Sequence, residues 1–293
     1  MLRRVLRIPL ILAFLAAATV VASADDASKE PPRVREELWG LLTPWPVLTW
    51  VVRPLGTGTR TLVLMNHGVS VDPEQRTFFP PVEYRAAAYW FARRGHVVVS
   101  PVRYGGTAVD RPELALFPLF FAQVGHCDNP NFRGPGLSIA QLDQWVIDYM
   151  VNEGVVEPEK IIIVGQSGGG WGSIAYSSLN RPAVRAIITF AAGRGGRVDG
   201  KPNNNCAPDK LVEATREFGR TSRVPMLWIY SENDSYFGPD LSKRMHEAFT
   251  AAGGKAEYHL LPPFGSDGHF LIDSPDGIPL WAPIVSKFLD EHP

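Results

Sequence analysis

The chain has 293 residues, 45% of them hydrophobic and 20% charged, with a formal net charge of −1. That is the composition of a globular protein long enough to bury a sizeable core. It offers no basic excess, so nucleic acid is not an expected partner.

Taken in chain order, the first segment reads as a secretory signal. Arg3, Arg4 and Arg7 form a basic head, an apolar run follows over 8–21, and Ala22-Ser23-Ala24 supplies small residues for cleavage after Ala24. The run is shorter than the ~20 residues of a spanning helix and contains Pro9. No stable membrane anchor is expected after cleavage, and the expected location is secreted or periplasmic. Residues 25–45 are charged and proline-rich and read as a loose leader. A single domain is expected over 46–293.

Within that domain strand and helix patterns alternate. A short apolar strand over 61–65 ends at Asn66-His67-Gly68. A helix over 82–94 precedes a β-branched strand over 96–102. A second helix over 137–153 puts Leu142, Trp145, Val146, Tyr149 and Met150 on one face. Strand 160–165, helix 168–179 and strand 186–191 follow. Strand 225–231, helix 238–252, strand 256–261 and helix 281–291 complete the pattern. Alternation of this kind requires crossover connections, hence an α/β fold with a mostly parallel sheet and helices on both faces. The segments 104–136 and 193–222 are too long for plain connections and are expected to cover a site. Cys127 and Cys206 both lie in Asn-rich, loop-like stretches. In an exported chain an even count favours a disulfide between them.

The strongest chemical signal is Gly165-Gln166-Ser167-Gly168-Gly169-Gly170, directly after a strand and directly before a helix. A serine presented there must sit on a tight, strained turn, and the flanking glycines remove side chains that would clash. The turn also aims the Gly168 amide, at a helix N-terminus, toward the reacting centre. A serine hydroxyl needs a base. His269, in Asp267-Gly268-His269-Phe270 after the last strand, is the candidate. His246 lies in a helix and His259 in a strand, and both read as structural. The acid is expected after strand 225–231, in Ser231-Glu232-Asn233-Asp234. Asp234 is preferred, with Glu232 the rival and Asp240 behind it.

A tetrahedral intermediate needs a second amide donor besides Gly168. The turn Asn66-His67-Gly68-Val69-Ser70 offers Val69 first and Ser70 next, with His67 as a buttress of that turn. Tyr104, Trp171, Tyr236 and Phe237 are candidates for an apolar substrate pocket. Gly193-Arg194-Gly195-Gly196-Arg197 reads as a shaped loop near the mouth. Its arginines either attract an acidic substrate or form a simple surface turn, the preferred reading. No metal-ligand spacing and no cofactor motif is found.

These motifs in this order resemble the α/β-hydrolase superfamily over about 61–292. Within it, the chain is similar to the dienelactone-hydrolase-like group and neighbouring serine esterases. The resemblance implies an α/β-hydrolase fold without a large cap domain and a Ser-Asp-His triad acting on a small ester. Dienelactone hydrolases typically carry a cysteine nucleophile, and Ser167 in its place points to ordinary carboxylic esters. The alternatives are a peptidase or amidase of the same fold and a non-catalytic binding protein.

Overall fold

Strands that are apolar on both faces are stable only between two layers of helices. The computed structural model describes residues 33–44, 46–56, 58, 60–69, 84–103 and 126–293. They form an eight-stranded sheet in the order β1-β2-β4-β3-β5-β6-β7-β8. The strands are β1 Val34–Leu42, β2 Pro46–Pro54, β3 Leu62–Asn66, β4 Val97–Pro101, β5 Ile161–Gln166, β6 Val184–Phe190, β7 Met226–Ser231 and β8 Ala256–Leu261. β2 pairs antiparallel with both β1 and β4, and the remaining pairings are parallel.

The helices are α1 Arg85–Ala92, α2 Arg133–Asn152, α3 Ser167–Ser177, α4 Pro208–Thr221, α5 Pro239–Ala251 and α6 Ile278–Glu291. Side chains alternate along each strand, so each strand feeds two cores. Leu62, Leu64, Ile161, Ile163 and Trp228 pack toward α2, α3, α4 and α5. Val63, Met65, Ile162, Val164 and Ile229 pack toward α1 and α6, around Phe91 and Trp281. Among the described residues no large cap is evident, and no helix is long and apolar enough to cross a membrane.

The strand order locates the site. β3 has β4 on one side and β5 on the other. The connections on either side of this pair diverge, which leaves a crevice at the carboxyl ends of β3 and β5. Asn66 and Gly165 stand in register there.

Four features depart from the sequence expectations. The leader expected over 25–45 carries β1 in its second half. Its charges are paired on both faces of an edge strand: Glu37 accepts from Arg53 at 2.8 Å on one, and Glu36 holds Arg85 and Tyr89 of α1 on the other. β2 is a further strand, bracketed by Pro46 and Pro54. The covering segment 193–222 contains α4, which starts with Pro208 in its first turn and buries Leu211, Ala214, Thr215, Phe218 and Gly219. The covering segment 104–136 gives its last residues to α2, where the Asn131 side chain accepts the Gly134 N–H at 2.8 Å. The expected signal segment lies outside the described residues. A disulfide joins Cys127 to Cys206, with Cα atoms 5.0 Å apart.

Candidate active site

The Ser167 turn is built as its glycines require. Ser167 has φ 52°, a left-handed conformation that a residue with a Cβ adopts at a cost. A Cβ at Gly165 would lie 2.4 Å from Ser173 Oγ, and one at Gly169 only 2.3 Å from the Asn66 carbonyl oxygen. Any side chain at either position would push α3 off the sheet. The turn is held from outside as well, since the Gly193 N–H donates to the Ser167 carbonyl at 3.1 Å.

The expected acid and base meet. His269 Nδ1 lies 3.0 Å from Asp234 Oδ1, and both side chains are almost wholly buried. Asp234 Oδ1 also accepts the N–H groups of Tyr236 and Phe237, at 2.7 and 3.0 Å. These bonds fix the carboxylate before it meets the imidazole. Glu232 and Asp240 are exposed. His246 bonds to the Ala256 carbonyl, and His259 pairs with Glu257, consistent with structural roles for both.

The Asn66–Val69 turn has a definite internal logic. The Arg103 N–H donates to His67 Nε2 at 3.0 Å, so that nitrogen carries no proton. The ring proton therefore sits on Nδ1, which donates to the Gly68 carbonyl at 2.7 Å. In a trans peptide the N–H opposes the C=O. Holding the Gly68 carbonyl against His67 thus turns the Val69 N–H the other way. Val69 Cγ2 lies 2.9 Å from where a Gly168 Cβ would be, so the two candidate donor residues adjoin. Ser70 and Tyr104 lie outside the described residues.

Burial of His67, reinforced by the Arg103 charge, lowers its pKa to about 3. Between about 3 and 6.5 the unfolded chain binds a proton at this position that the folded chain does not, so stability falls as pH drops through that range. In His67→Asn the urea midpoint should fall less between pH 6.5 and 4 than in the parent chain. Identical pH dependence in the two proteins would contradict this. Asp143 beneath the turn acts in the opposite direction. Burial pushes it up to about 7, against the Asn66 hydrogen bond (2.7 Å) and the Arg103 charge.

Several residues here were not found in the sequence. Arg103 donates through Nη1 to Asn66 Oδ1 at 3.1 Å, and through Nη2 to the His67 carbonyl. Tyr84 accepts the Gly68 N–H at 2.7 Å and donates to Gln166 Oε1 at 3.1 Å. Gln166 in turn donates to the His269 carbonyl at 2.9 Å. One chain of hydrogen bonds therefore joins the Val69 turn, the Ser167 turn and the His269 loop.

The pocket candidates divide. Tyr236 stacks on the His269 ring, with centroids 3.9 Å apart. Phe237 is buried behind that ring, 5.9 Å away, and covers Gly193. Trp171 is not a pocket residue. It is fully buried on the far side of α3, donates to the Phe132 carbonyl at 2.7 Å and packs on Phe218 of α4. The loop of Arg194 and Arg197 is more than a surface turn. Arg194 Nη1 lies 2.9 Å from the Gly168 Cβ position, and Arg197 stands 3.8 Å from Asp267 Oδ2.

The sequence matches no protein-family model and no curated protein. Solved structures do resemble the chain. A Klebsiella pneumoniae protein assigned as a dienelactone hydrolase superposes with a TM-score of 0.58 at 17% identity, over 88% of this chain and 99% of its own. An esterase from an Arctic intertidal metagenomic library gives 0.53 at 13%, over 90% and 97%. An acylaminoacyl peptidase from Pyrococcus horikoshii gives 0.61 at 13%, over 92% of this chain but 43% of the peptidase. The chain thus spans less than half the length of that peptidase. It is built on the α/β-hydrolase fold, a likeness to these proteins carried by structure at low sequence identity.

Proposed function

We propose that this chain is an exported serine hydrolase of carboxylic esters. The observation that carries the reading is the buried Asp234–His269 pair at 3.0 Å, in a site whose serine, Ser167, is held at φ 52°. In this reading Ser167 Oγ attacks the ester carbonyl while His269 Nε2 takes its proton. Asp234 holds Nδ1–H and balances the imidazolium. The oxyanion rests on the N–H groups of Gly168 and Val69, in a site already organised to receive it. His269 then returns the proton to the departing alcohol. Water attacks the acyl-enzyme with His269 again as base, which releases the acid and restores Ser167. The ester preference is supported by coverage, since the alignment takes in 99% and 97% of the dienelactone hydrolase and esterase neighbours but 43% of the peptidase. Export is supported by the Cys127–Cys206 disulfide.

A second reading, a peptidase or amidase, is favoured by the peptidases among the structural neighbours. One experiment separates the two. A fluorophosphonate probe should attach to Ser167, located by peptide mass spectrometry. Short p-nitrophenyl esters should then be cleaved with higher kcat/KM than aminoacyl p-nitroanilides. The reverse order would favour the peptidase, and a folded protein that takes no label would overturn both.

A further inference from the structure

Asp267 opens the motif that supplies His269, yet no step of the acyl-transfer scheme uses it. Its carboxylate lies between the loop that carries the acid and the loop that carries the base. Oδ1 accepts the backbone N–H of Ser235 and that of His269, each at 3.0 Å. Ser235 is the residue after Asp234. Oδ2 accepts the Ser235 hydroxyl. Arg197 Nη1 stands 3.8 Å from Oδ2 and donates to that same hydroxyl at 2.8 Å.

The surroundings leave these loops little slack. The Gly268 N–H donates to the Asn233 carbonyl at 3.3 Å. A side chain at 268 would meet Ser231 Cβ at 2.3 Å. Asn233 Oδ1 accepts the Phe264 N–H at 2.8 Å, and its Nδ2 donates to the Phe264 carbonyl at 3.1 Å. Asp234 is fixed within its own turn by the Tyr236 and Phe237 amides. Asn233, next to Asp234, ties this turn to the histidine loop at one end, and Asp267 adds a tie directly at Ser235 and His269.

We propose that Asp267 is a positioning residue: its carboxylate grips one backbone N–H on each loop and so sets the separation of Asp234 and His269, with Arg197 holding it in place. The inference rests on His269 serving as the base for Ser167. An ionised acceptor makes stronger bonds to N–H groups than a neutral one, and a carboxylate oxygen can serve two donors at once. Arg197 comes from the loop after β6. That loop also places Gly193 against Ser167, so the guanidinium extends the tie to a third segment of the site.

The test uses Asp267→Ala and Asp267→Asn in the full chain, with p-nitrophenyl butyrate as substrate. Rates are normalised to active sites titrated with the fluorophosphonate probe. In Asp267→Ala, kcat per titrated site should fall by about 10- to 100-fold, the scale set by an ångström of misplacement, with KM little changed. Asp267→Asn keeps one acceptor and should recover part of the loss. The downfield NMR resonance of the His269 Nδ1 proton should be present in the parent and weakened in Asp267→Ala. A residue that only stabilised the fold would lower Tm and the titratable fraction and leave kcat per site alone. Equal kcat per site in parent and Asp267→Ala, or an unchanged resonance, would overturn the proposal. If Asp267→Ala does not fold, Asp267→Asn and Arg197→Gln carry the comparison, and parental values in both would overturn it equally. Failure of the parent to take the probe would sink the hydrolase reading, while the resonance would still decide the clamp.

Discussion

Ser167→Ala should lower kcat for ester hydrolysis by about 10⁵- to 10⁶-fold, the loss typical when a catalytic serine is removed from a triad. It should also abolish labelling by the fluorophosphonate probe. The fold should survive, because alanine keeps the Cβ and loses only the hydroxyl. Stability offers a second check on the turn. Ser167 and an alanine in its place share the same left-handed backbone at φ 52°. Glycine would relieve about 1–2 kcal/mol of that cost and give back about 0.4–1 kcal/mol through a more flexible unfolded chain. Relief is the larger of the two. Ser167→Gly should therefore be equally inactive and up to about 1.5 kcal/mol more stable than Ser167→Ala in urea unfolding. Residual activity near the parent level in either variant would remove Ser167 from the mechanism.

The second large effect concerns the disulfide. Replacing both cysteines, Cys127→Ala with Cys206→Ala, should cost about 2–4 kcal/mol, because the bridge closes a long loop of the unfolded chain. The two residues are 79 apart in sequence. For a chain of this size that loss corresponds to a Tm lowered by roughly 3–7 °C. A reducing agent should shift the parent toward the variant and leave the variant itself unmoved. Activity should fall too. The Cys206 N–H donates to the Gly195 carbonyl at 2.8 Å, two residues from the Gly193 amide that holds the Ser167 carbonyl. Matching melting curves for the parent and the double variant would show that the bridge contributes nothing to the folded state.

The stacked and bonded surroundings of His269 explain why single changes there will not act independently. Tyr236 lies on the imidazole face, and its ring stands 5.3 Å from the Arg197 guanidinium. Arg197 reaches Asp267, and Asp267 holds the His269 amide. Removal of one member changes the footing of the next, so pairs of variants here are expected to show coupling rather than additive losses.

Much of this was legible in the sequence because the signals are local. The runs Ile161-Ile162-Ile163-Val164 and Met226-Leu227-Trp228-Ile229 can be buried on both faces only in the middle of a sheet, and they became β5 and β7. The glycines around Ser167 marked a strained turn, since each stands where a Cβ would strike a neighbouring segment. Asp234 and His269 were placed by their positions after successive strands, and they meet at 3.0 Å. β1 was not legible. Its Arg35-Glu36-Glu37 charges resemble a solvated leader, and only β2, Arg53 and Arg85 give them a reason to be ordered. α4 was hidden for a related reason: the apolar face that identifies it is buried against α3 and α5, elements far along the chain.

The sequence by itself determined the mostly parallel sheet with helices on both faces and the tight glycine-flanked turn at Ser167, because periodicity and glycine placement are properties of consecutive residues. The tertiary structure alone decided which neighbours serve that turn. It took Trp171 out of the pocket and into the core, brought Arg103 under the Val69 turn, and strung Tyr84 and Gln166 between Gly68 and His269. It also placed the Asp267 carboxylate on the amides of both Ser235 and His269. Apart from the Asp267–His269 bond, which lies within one turn, each of these is a contact between segments separate along the chain. A side chain's direction and hydrogen-bond partner at such a contact are fixed by how the sheet and helices close on one another, and no pattern within a single segment carries that information.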